Sequence, residues 1–238
     1  MGALRLFFIS ENQLSNTLEA LNERLLRTCD PEPLGPWTLD HRLLRSTPSS
    51  IGFQGPWRYQ HLLRLGHDPN KTFVHIADPS NTEDPAKNAT IAIPSDQQSA
   101  FANLLTSKYA ALWTPKQTVQ VQNGHAYAVG EFIIRLGELR LVGAQQRHLG
   151  VIVSIQESVT PVTGEIEENE EPAGLHAGSD SDQLNREGLR QTEDDIQDLW
   201  RLFGISNAKE FSNERPGKSR GGPFEDIKLW CDLLRLRG

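Results

Sequence analysis

Apolar and polar residues alternate over several short runs in the first half of the chain, a pattern typical of strands that bury one face. Leu4 to Ile9 predicts a first strand. In WTLDHRLLR, the side chains of Trp37, Leu39, His41 and Leu43 fall on one face. Three further strands are predicted by the segments RYQHLLRL, KTFVHIA and TIAI. The first two of these strands, RYQHLLRL and KTFVHIA, are joined through GHDPN, a turn-forming cluster.

The segment from residue 116 to residue 157 predicts four consecutive antiparallel strands. Asn123-Gly124 is the pair preferred in a type I′ turn, and Gly137-Glu138 suits a type II′ turn. A turn at Gly137 would also explain why the apolar positions change phase at this point. A longer loop ending at Gly150 then precedes the final strand, VIVSIQ.

Helical periodicity is confined to four segments. Ser10 with Gln13, and Ser95 with Gln98, form two Ser-x-x-Gln capping boxes ahead of apolar stripes. A third helix is predicted in TEDDIQDLWRLFGI, with Thr192 as its N-cap. A fourth is predicted over 223–237, with Pro223 at its first position.

These elements predict an α+β fold that is mainly antiparallel β. Eight or nine strands with only two helices among them favour a closed or nearly closed β-barrel of about eight strands, flanked by helices, because closure leaves few exposed edges. We expect residues 1–157 to form the barrel with two helices and residues 192–238 to complete the same domain with the C-terminal helices.

Residues 158–191 differ in composition from the rest of the chain. They are acidic, rich in Gly, Ser and Pro, and nearly free of large apolar residues, so we expect a disordered insert. Residues 158–195 carry a net charge of −9. Since the whole chain carries −7, the remaining residues together carry only +2. This nearly neutral body gives no support to direct nucleic-acid binding, which usually requires a basic face.

The sequence contains no recognisable catalytic, metal or cofactor motif. The seven histidines never pair at helical spacing, and the two cysteines lack CxxC spacing. Glu165-x-Glu167 and Glu168-x-Glu170 would suit a metal site on a barrel strand, as in RNA triphosphatases, but the flanking strand formers and a second matching motif are missing. A barrel-type, metal-dependent phosphohydrolase is therefore the alternative function. No run of apolar residues approaches the ~20 needed to span a membrane.

The last predicted helix has a complete apolar stripe that must be buried somewhere. Trp230, Leu233 and Leu234 lie on this helix. We expect the stripe to pack on the chain's own barrel, and the alternative is that these three residues contact a partner, with Trp230 as the anchor.

The stretch FIIRLGELRLVGAQQRHLGVIVSIQ resembles Mediator complex subunit 20, the TATA-binding-related-factor family of the Mediator head module. The resemblance lies in a Phe-led strand at Phe132, a basic residue at Arg135, the glycines Gly137 and Gly150, and a final strand from Val151 to Ile155. The segments GALRLFFIS, PWTLDHRLLRS, HDPNKTFVHI and LWRLFGISNAKEF are similar to the fungal branch of the family.

The resemblance implies a non-catalytic, nuclear coactivator subunit in transcription by RNA polymerase II. It implies direct binding to Mediator subunit 18 in a submodule tethered by subunit 8, with a looser link to TATA-binding protein and RNA polymerase II. It brings no catalytic residue and no cofactor.

Overall fold

The computed structural model describes residues 2–10, 17–48, 57–78, 88–143, 147–158, 180–212 and 224–235, with the backbone only for 180–190. Nine strands occur in chain order: β1 Leu4–Ser10, β2 Glu32–Ser46, β3 Tyr59–Leu65, β4 Lys71–Ala77, β5 Ala89–Pro94, β6 Trp113–Val129, β7 Phe132–Leu141, β8 Arg147–Glu157 and β9 Lys209–Ser212. Four helices accompany them: α1 Thr17–Thr28, α2 Gln98–Ser107, α3 Asp180–Leu202 and α4 Glu225–Leu234. Among the described residues, no helix is long and apolar enough to cross a membrane.

The strands form one antiparallel sheet in the order β5-β4-β3-β2-β6-β7-β8-β1-β9. The prediction of an α+β, mainly antiparallel fold is therefore confirmed. The sheet is not closed, because β5 and β9 stand at opposite ends of the strand order. Most neighbours in the sheet are also neighbours in sequence, as expected of hairpin connections.

Both faces of the sheet bury apolar side chains. Along β1, Leu4 and Leu6 belong to a cluster with α4, whereas Phe7 and Ile9 belong to a cluster with α1 and α3. We call the α4 side the inner face and the opposite side the outer face. A third cluster joins the outer face of β2, β3 and β4 to α2. The single helix α4 thus covers the inner face, and the other three helices cover the outer face.

The predicted turns at Asn123-Gly124 and Gly137-Glu138 are wrong, because these residues lie inside β6 and β7. The hairpin turn occurs at Gly130, with φ +55°, between the paired residues Val129 and Phe132. A Cβ at Gly124 would meet the ring of Trp37 at 2.7 Å. A Cβ at Gly137 would meet the same ring at 3.0 Å. These glycines allow a close approach between the sheet and Trp37, rather than a reversal of the chain.

The change of apolar phase in β7 also has a different cause. Ile134 and Leu136 face the outer cluster, while Leu139 faces the inner cluster. The same strand therefore buries opposite faces at its two halves, and no turn is required.

Gly150 does not end a loop. It lies in β8 at φ +153°, pairs with Leu139 and Ser10, and follows a register shift in the β7–β8 ladder. The backbone oxygen of Ile9 occupies the place of a Cβ at this position. Glycine is therefore required by an irregularity within the strand, a common position for this residue.

Helix starts also differ from the prediction. Helix α3 begins at Asp180, so Thr192 lies inside it and residues 180–191, assigned to the insert, are helical. The rest of that acidic segment, from 159 to 179, lies outside the described residues, as does Gln13 of the first capping box. The second box does not form: a 3-10 turn over Ser95–Gln97 precedes α2, whose N-cap is Gln97, and the Gln98 amide donates to Asp40 Oδ1 at 2.9 Å.

Candidate functional site

The inner face of the sheet is the place where a barrel enzyme would hold its substrate, and here α4 fills it. The buried residues of α4 pack against β1, β2, β3, β4 and β6 residues of the inner cluster. The rings of Trp230 and Trp37 lie 5.9 Å apart, and both residues are 2% exposed. Trp37 also covers the two glycines Gly124 and Gly137. The close approach of these glycines thus makes room for the Trp37–Trp230 pair.

The three partner-contact candidates on α4 are all buried in the chain itself. Trp230, Leu233 and Leu234 are 2%, 1% and 0% exposed. Of the two alternatives weighed from the sequence, the structure shows the helix packed on its own sheet. A partner could reach these side chains only if α4 left the sheet.

Polar and aromatic contacts fix both ends of α4. At its start, the ring of Phe224 lies 6.5 Å from that of Phe73, edge to face. At its end, the side-chain amide of Gln117 donates to the backbone oxygen of Leu234 at 3.1 Å. This bond satisfies one of the terminal carbonyls that a helix leaves unpaired. The guanidinium of Arg235 lies 5.4 Å from the ring centroid of Tyr59, within range of a cation–π contact.

A row of three buried histidines crosses the inner face of β2, β3 and β4. His41 Nε2 and His61 Nδ1 are 3.0 Å apart and share one hydrogen bond. His61 and His75 are directly paired across β3 and β4, with ring centroids 5.8 Å apart. His75 Nδ1 and the Thr90 hydroxyl on β5 are 2.7 Å apart. The sequence placed all three histidines in strands, but their contact depends on the register of three strand pairs.

Burial keeps this row neutral. Desolvation lowers the pKa of His41 to about 3 and that of His75 to about 4, the latter with a further contribution from Lys228. The pKa of His61 is lowered well below 6.5, first by desolvation and then by the other two histidines and Arg235. Desolvation and the nearby cations Lys228 and Arg235 therefore both oppose protonation of the row.

Four carboxylates of the strands lie on the other side of the sheet. Asp40, Glu138, Glu157 and Glu210 all lie on the outer face. The face of each follows from strand alternation, because each is next in sequence to, or directly paired with, a residue of one of the two clusters. Asp40 accepts hydrogen bonds from Gln98 and Gln120. Glu210 forms an ion pair with Arg5 at 2.7 Å. These acids stabilise the fold, and none of the four faces the interior in the manner of a barrel phosphohydrolase.

No metal cluster occurs among the described residues. No group of three His, Cys, Asp or Glu side chains in the described ranges has the geometry to hold a metal ion. A groove of about 440 Å³ along β2 and β6 is lined by Pro33, Gly35, Pro36, Asn123, Gly124, His125, Ala126 and Tyr127. Since none of these residues is a carboxylate, the groove offers no hard-cation ligand set of the kind that Mg²⁺ requires. The candidate Glu165, Glu167, Glu168 and Glu170 lie outside the described residues.

Apolar side chains are exposed on the outer side near α2. Leu104, Tyr109 and Leu112 are 41%, 46% and 58% exposed, and Ile91 on β5 is 52% exposed. A second pair, Leu26 on α1 and Leu202 on α3, is also exposed. The helical spacing of Phe101, Leu104, Leu105, Lys108 and Leu112 predicts one apolar stripe, but α2 ends at Ser107. Of these five residues only Leu105 is buried, together with Ala102. The surface available to a partner is thus the outer side and the sheet edges.

Three solved structures share parts of this architecture at low similarity. The PH1819 protein from Pyrococcus horikoshii OT3 has 10% identity and a TM-score of 0.42, covering 88% of this chain and 93% of that chain. A putative adenylyl cyclase from Hippeastrum, described as having a dominant triphosphatase activity, has 9% identity and a TM-score of 0.37, covering 92% of this chain and 93% of that chain. The RNA triphosphatase Pct1 of S. pombe, solved with the Spt5 CTD, has 11% identity and a TM-score of 0.26, covering 66% and 72%. At these values none of the likenesses carries an argument about function.

No curated protein sequence matches the chain significantly. A family model does match, over residues 1–234, and it describes the TATA-binding related factor of subunit 20 of the Mediator complex. This match covers the sheet and all four helices, including α4 within the inner face. The chain therefore belongs to the Mediator subunit 20 family and has a role in the Mediator complex and in the regulation of transcription.

Proposed function

We propose that this chain is a non-catalytic structural subunit of the Mediator head module, acting in the nucleus as a coactivator of RNA polymerase II transcription. It binds subunit 18 directly, in a submodule tethered by subunit 8. TATA-binding protein and RNA polymerase II are further contacts of the assembled module. The family assignment supports the Mediator role, and the geometry of the inner face supports the non-catalytic one.

The observation that carries the non-catalytic role is the filling of the inner face by α4. Six residues of this ten-residue helix are buried, and they occupy the space that a substrate would need. The hydrogen bonds of His41 with His61 and of His75 with Thr90 use polar groups of this face within the fold. What remains for function is the outer side, which suits a scaffold.

Co-expression with subunits 18 and 8, followed by size-exclusion chromatography, tests the partner assignment. We expect the chain to co-elute with subunit 18 in equal amounts, both with and without subunit 8. Elution of the chain apart from subunit 18 in both mixtures would contradict the proposal.

A phosphate-release assay tests the absence of catalysis. The purified chain, with Mg²⁺ or Mn²⁺ and either a nucleoside triphosphate or triphosphate-ended RNA, should release no more phosphate than buffer. Metal-dependent release that is abolished by Glu165→Ala with Glu167→Ala would contradict this proposal and support the phosphohydrolase alternative.

We also propose that the acidic segment of 158–191 is not needed for the fold or for binding subunit 18. Replacing residues 159–179 by a Gly-Ser linker of equal length preserves the spacing between β8 and α3. The melting temperature and the affinity for subunit 18 should both stay unchanged. A weaker complex would show that the acids contact a basic surface of the partner.

A further inference from the structure

The strand β5 ends the sheet on one side, and the hydrogen-bond pattern shows which of its groups face outward. Ser95 donates its backbone N–H to Asn70 at 3.0 Å, and the pairing continues with Ile93 opposite Thr72 and Ile91 opposite Val74. Every second residue of an antiparallel strand points its N–H and C=O at the neighbour. Ile91 and Ile93 therefore bond to β4, whereas Thr90 and Ala92 point their backbone groups away from the sheet. No described strand pairs with this side of β5.

The strand at the other end of the sheet, β9, has charged residues that discourage pairing with a further strand. Two of its four residues, Lys209 and Glu210, are charged. Charged side chains are a common protection of sheet edges, because another strand must desolvate or pair them.

Among the described residues, the first half of β2 has no neighbouring strand on the β3 side, and this edge is protected in a different way. Glu32 to Trp37 pairs with β6 but lies beyond the last β3 residue of the ladder, Leu65 opposite Leu39. This half contains Pro33 and Pro36, which have no N–H, and a register shift beside Gly35, whose φ is +104°. Prolines and bulges both interrupt the row of donors that a new strand would use.

No such protection is found on β5. Its residues are Ala89-Thr90-Ile91-Ala92-Ile93-Pro94, without a charge and without proline before the last position. Ile91 is 52% exposed on the outer face, the same face as the partly buried Ile93 and Phe101 of the α2 cluster. Exposed Leu104 on α2 lies one helical turn beyond Phe101. Here an unprotected edge is combined with exposed apolar side chains, and such patches mark interaction sites.

A second copy of the chain is a poor occupant for this edge. Pairing two β5 strands would engage six residues on each side, whereas a standard stable interface uses about 20–30 residues a side. A different protein can add one strand to β5 and place further residues on the exposed side chains of α2. The lack of charge along β5 favours a partner segment that is also uncharged, since an unpaired charge there would lose its hydration without compensation.

We propose that β5 is a docking edge at which an extended, uncharged segment of a partner Mediator subunit adds a tenth strand to the sheet. The segment bonds to the outward N–H and C=O groups of Thr90 and Ala92 and places an apolar side chain beside Ile91. Main-chain bonds of this kind supply affinity, and the side-chain pocket supplies specificity. This inference rests on the proposed function, which names subunit 18 as the direct partner.

The test compares two substitutions at one outward-facing residue, using the full chain and purified subunit 18. Ala92→Pro removes the outward N–H while leaving the bonds to β4, and proline is tolerated at such edge positions. Ala92→Val keeps the N–H and enlarges the side chain, so it is the matched control. Ile91→Lys adds a charge at the exposed edge and serves as a second disruptive variant if Ala92→Pro does not fold.

We expect Ala92→Pro and Ile91→Lys to weaken binding by roughly tenfold or more in calorimetry, at unchanged melting temperature, and Ala92→Val to bind within about twofold of the unmodified chain. Equal binding by all folded variants would overturn the inference and leave the proposed function intact. If the unmodified chain does not bind subunit 18, both fall together. A concentration-dependent dimer of the isolated chain that Ala92→Pro abolishes would identify a second copy as the occupant and would also contradict the proposal.

Discussion

Gly137 is a residue where packing leaves no room for a side chain. A Cβ there would overlap Cγ1 of Val121 and approach the ring of Trp37 at 3.0 Å, and these neighbours are 1% and 2% exposed. We predict that Gly137→Ala lowers stability by about 1–3 kcal/mol, the usual cost of inserting a methyl group into a filled core. Chemical denaturation at neutral pH measures this loss.

Gly143 provides the control for that substitution. Among the described residues, no atom lies within 4 Å of a Cβ built at this position, so Gly143→Ala should leave the stability nearly unchanged. If both substitutions have the same small effect, the packing of β7 against Trp37 is looser than described.

The glycines show what the sequence could not reveal at the residue scale. Asn123-Gly124 has the composition of a hairpin turn, yet it lies in β6 because Trp37 of β2 packs on Gly124. The actual turn uses Gly130, in a tetrapeptide with a weaker turn signal. Local turn preference and long-range close approach both select glycine, and only the packed partner distinguishes them.

The buried histidine row predicts an acid-sensitive fold. The pKa values of His41 and His75 are about 3 and 4 in the folded chain and near 6.5 when unfolded. Below pH 6.5 the unfolded chain therefore binds protons that the folded chain does not. Stability should be complete above pH 6.5 and should fall as the pH drops toward 4, by up to roughly 1.4 kcal/mol per histidine for each pH unit.

Denaturant titrations at pH 7.5, 6 and 5 measure this slope. His125→Gln, outside the row, should retain it. A free energy of unfolding that does not change between pH 7.5 and 5 would contradict the burial of the row. Lys228, Arg235 and Thr90 are the groups that face the row from α4 and β5, and none of them supplies a negative charge.

At the scale of elements, α4 is the helix on which the inner cluster depends. Trp230 and Leu234 are almost completely buried among residues of the sheet. We predict that Trp230→Ala with Leu234→Ala destabilises the isolated protein by more than about 4 kcal/mol, since single truncations of such core residues cost about 2–5 kcal/mol. A lowered melting temperature, measured without any partner, is the expected result.

Glu225→Gln, at the exposed first turn of α4, is the matched control and should change stability by less than about 1 kcal/mol. If the double substitution leaves the melting temperature unchanged but abolishes binding to subunit 18, α4 belongs to the interface. That outcome would revive the partner role considered for Trp230, Leu233 and Leu234.

Helical periodicity was sufficient to find α4 but not to say where it would be buried. The apolar stripe of this helix must be buried against another apolar surface. From the sequence, that surface could belong either to the chain's own sheet or to a partner. The choice depends on Trp37, whose ring leaves space beside it only because Gly124 and Gly137 lack side chains. The position of α4 therefore depends on residues of β2, β6 and β7, which all precede it in the chain by 80 residues or more.

At the scale of the whole molecule, alternation predicted most of the strands but not the short β9, which, like β5, contains no buried residue. It could not give the register that brings His41, His61 and His75 together, nor the positions of β5 and β9 at the edges. Both follow from pairing between segments, which a single sequence does not display. The location of acids on the outer face likewise became visible only from the strand pairs.

The central claim is that this chain is a structural subunit that occupies a fixed place in Mediator. Affinity purification of the tagged chain from nuclear extract, with quantitative mass spectrometry of the co-purified Mediator subunits, tests it most directly. We predict that subunits 18 and 8 are recovered in a 1:1 ratio to the chain after a wash at about 0.5 M salt, because an interface dominated by apolar contacts and strand pairing is only weakly screened. Recovery of the chain without Mediator subunits, or at a small fraction of their amount, would contradict the account.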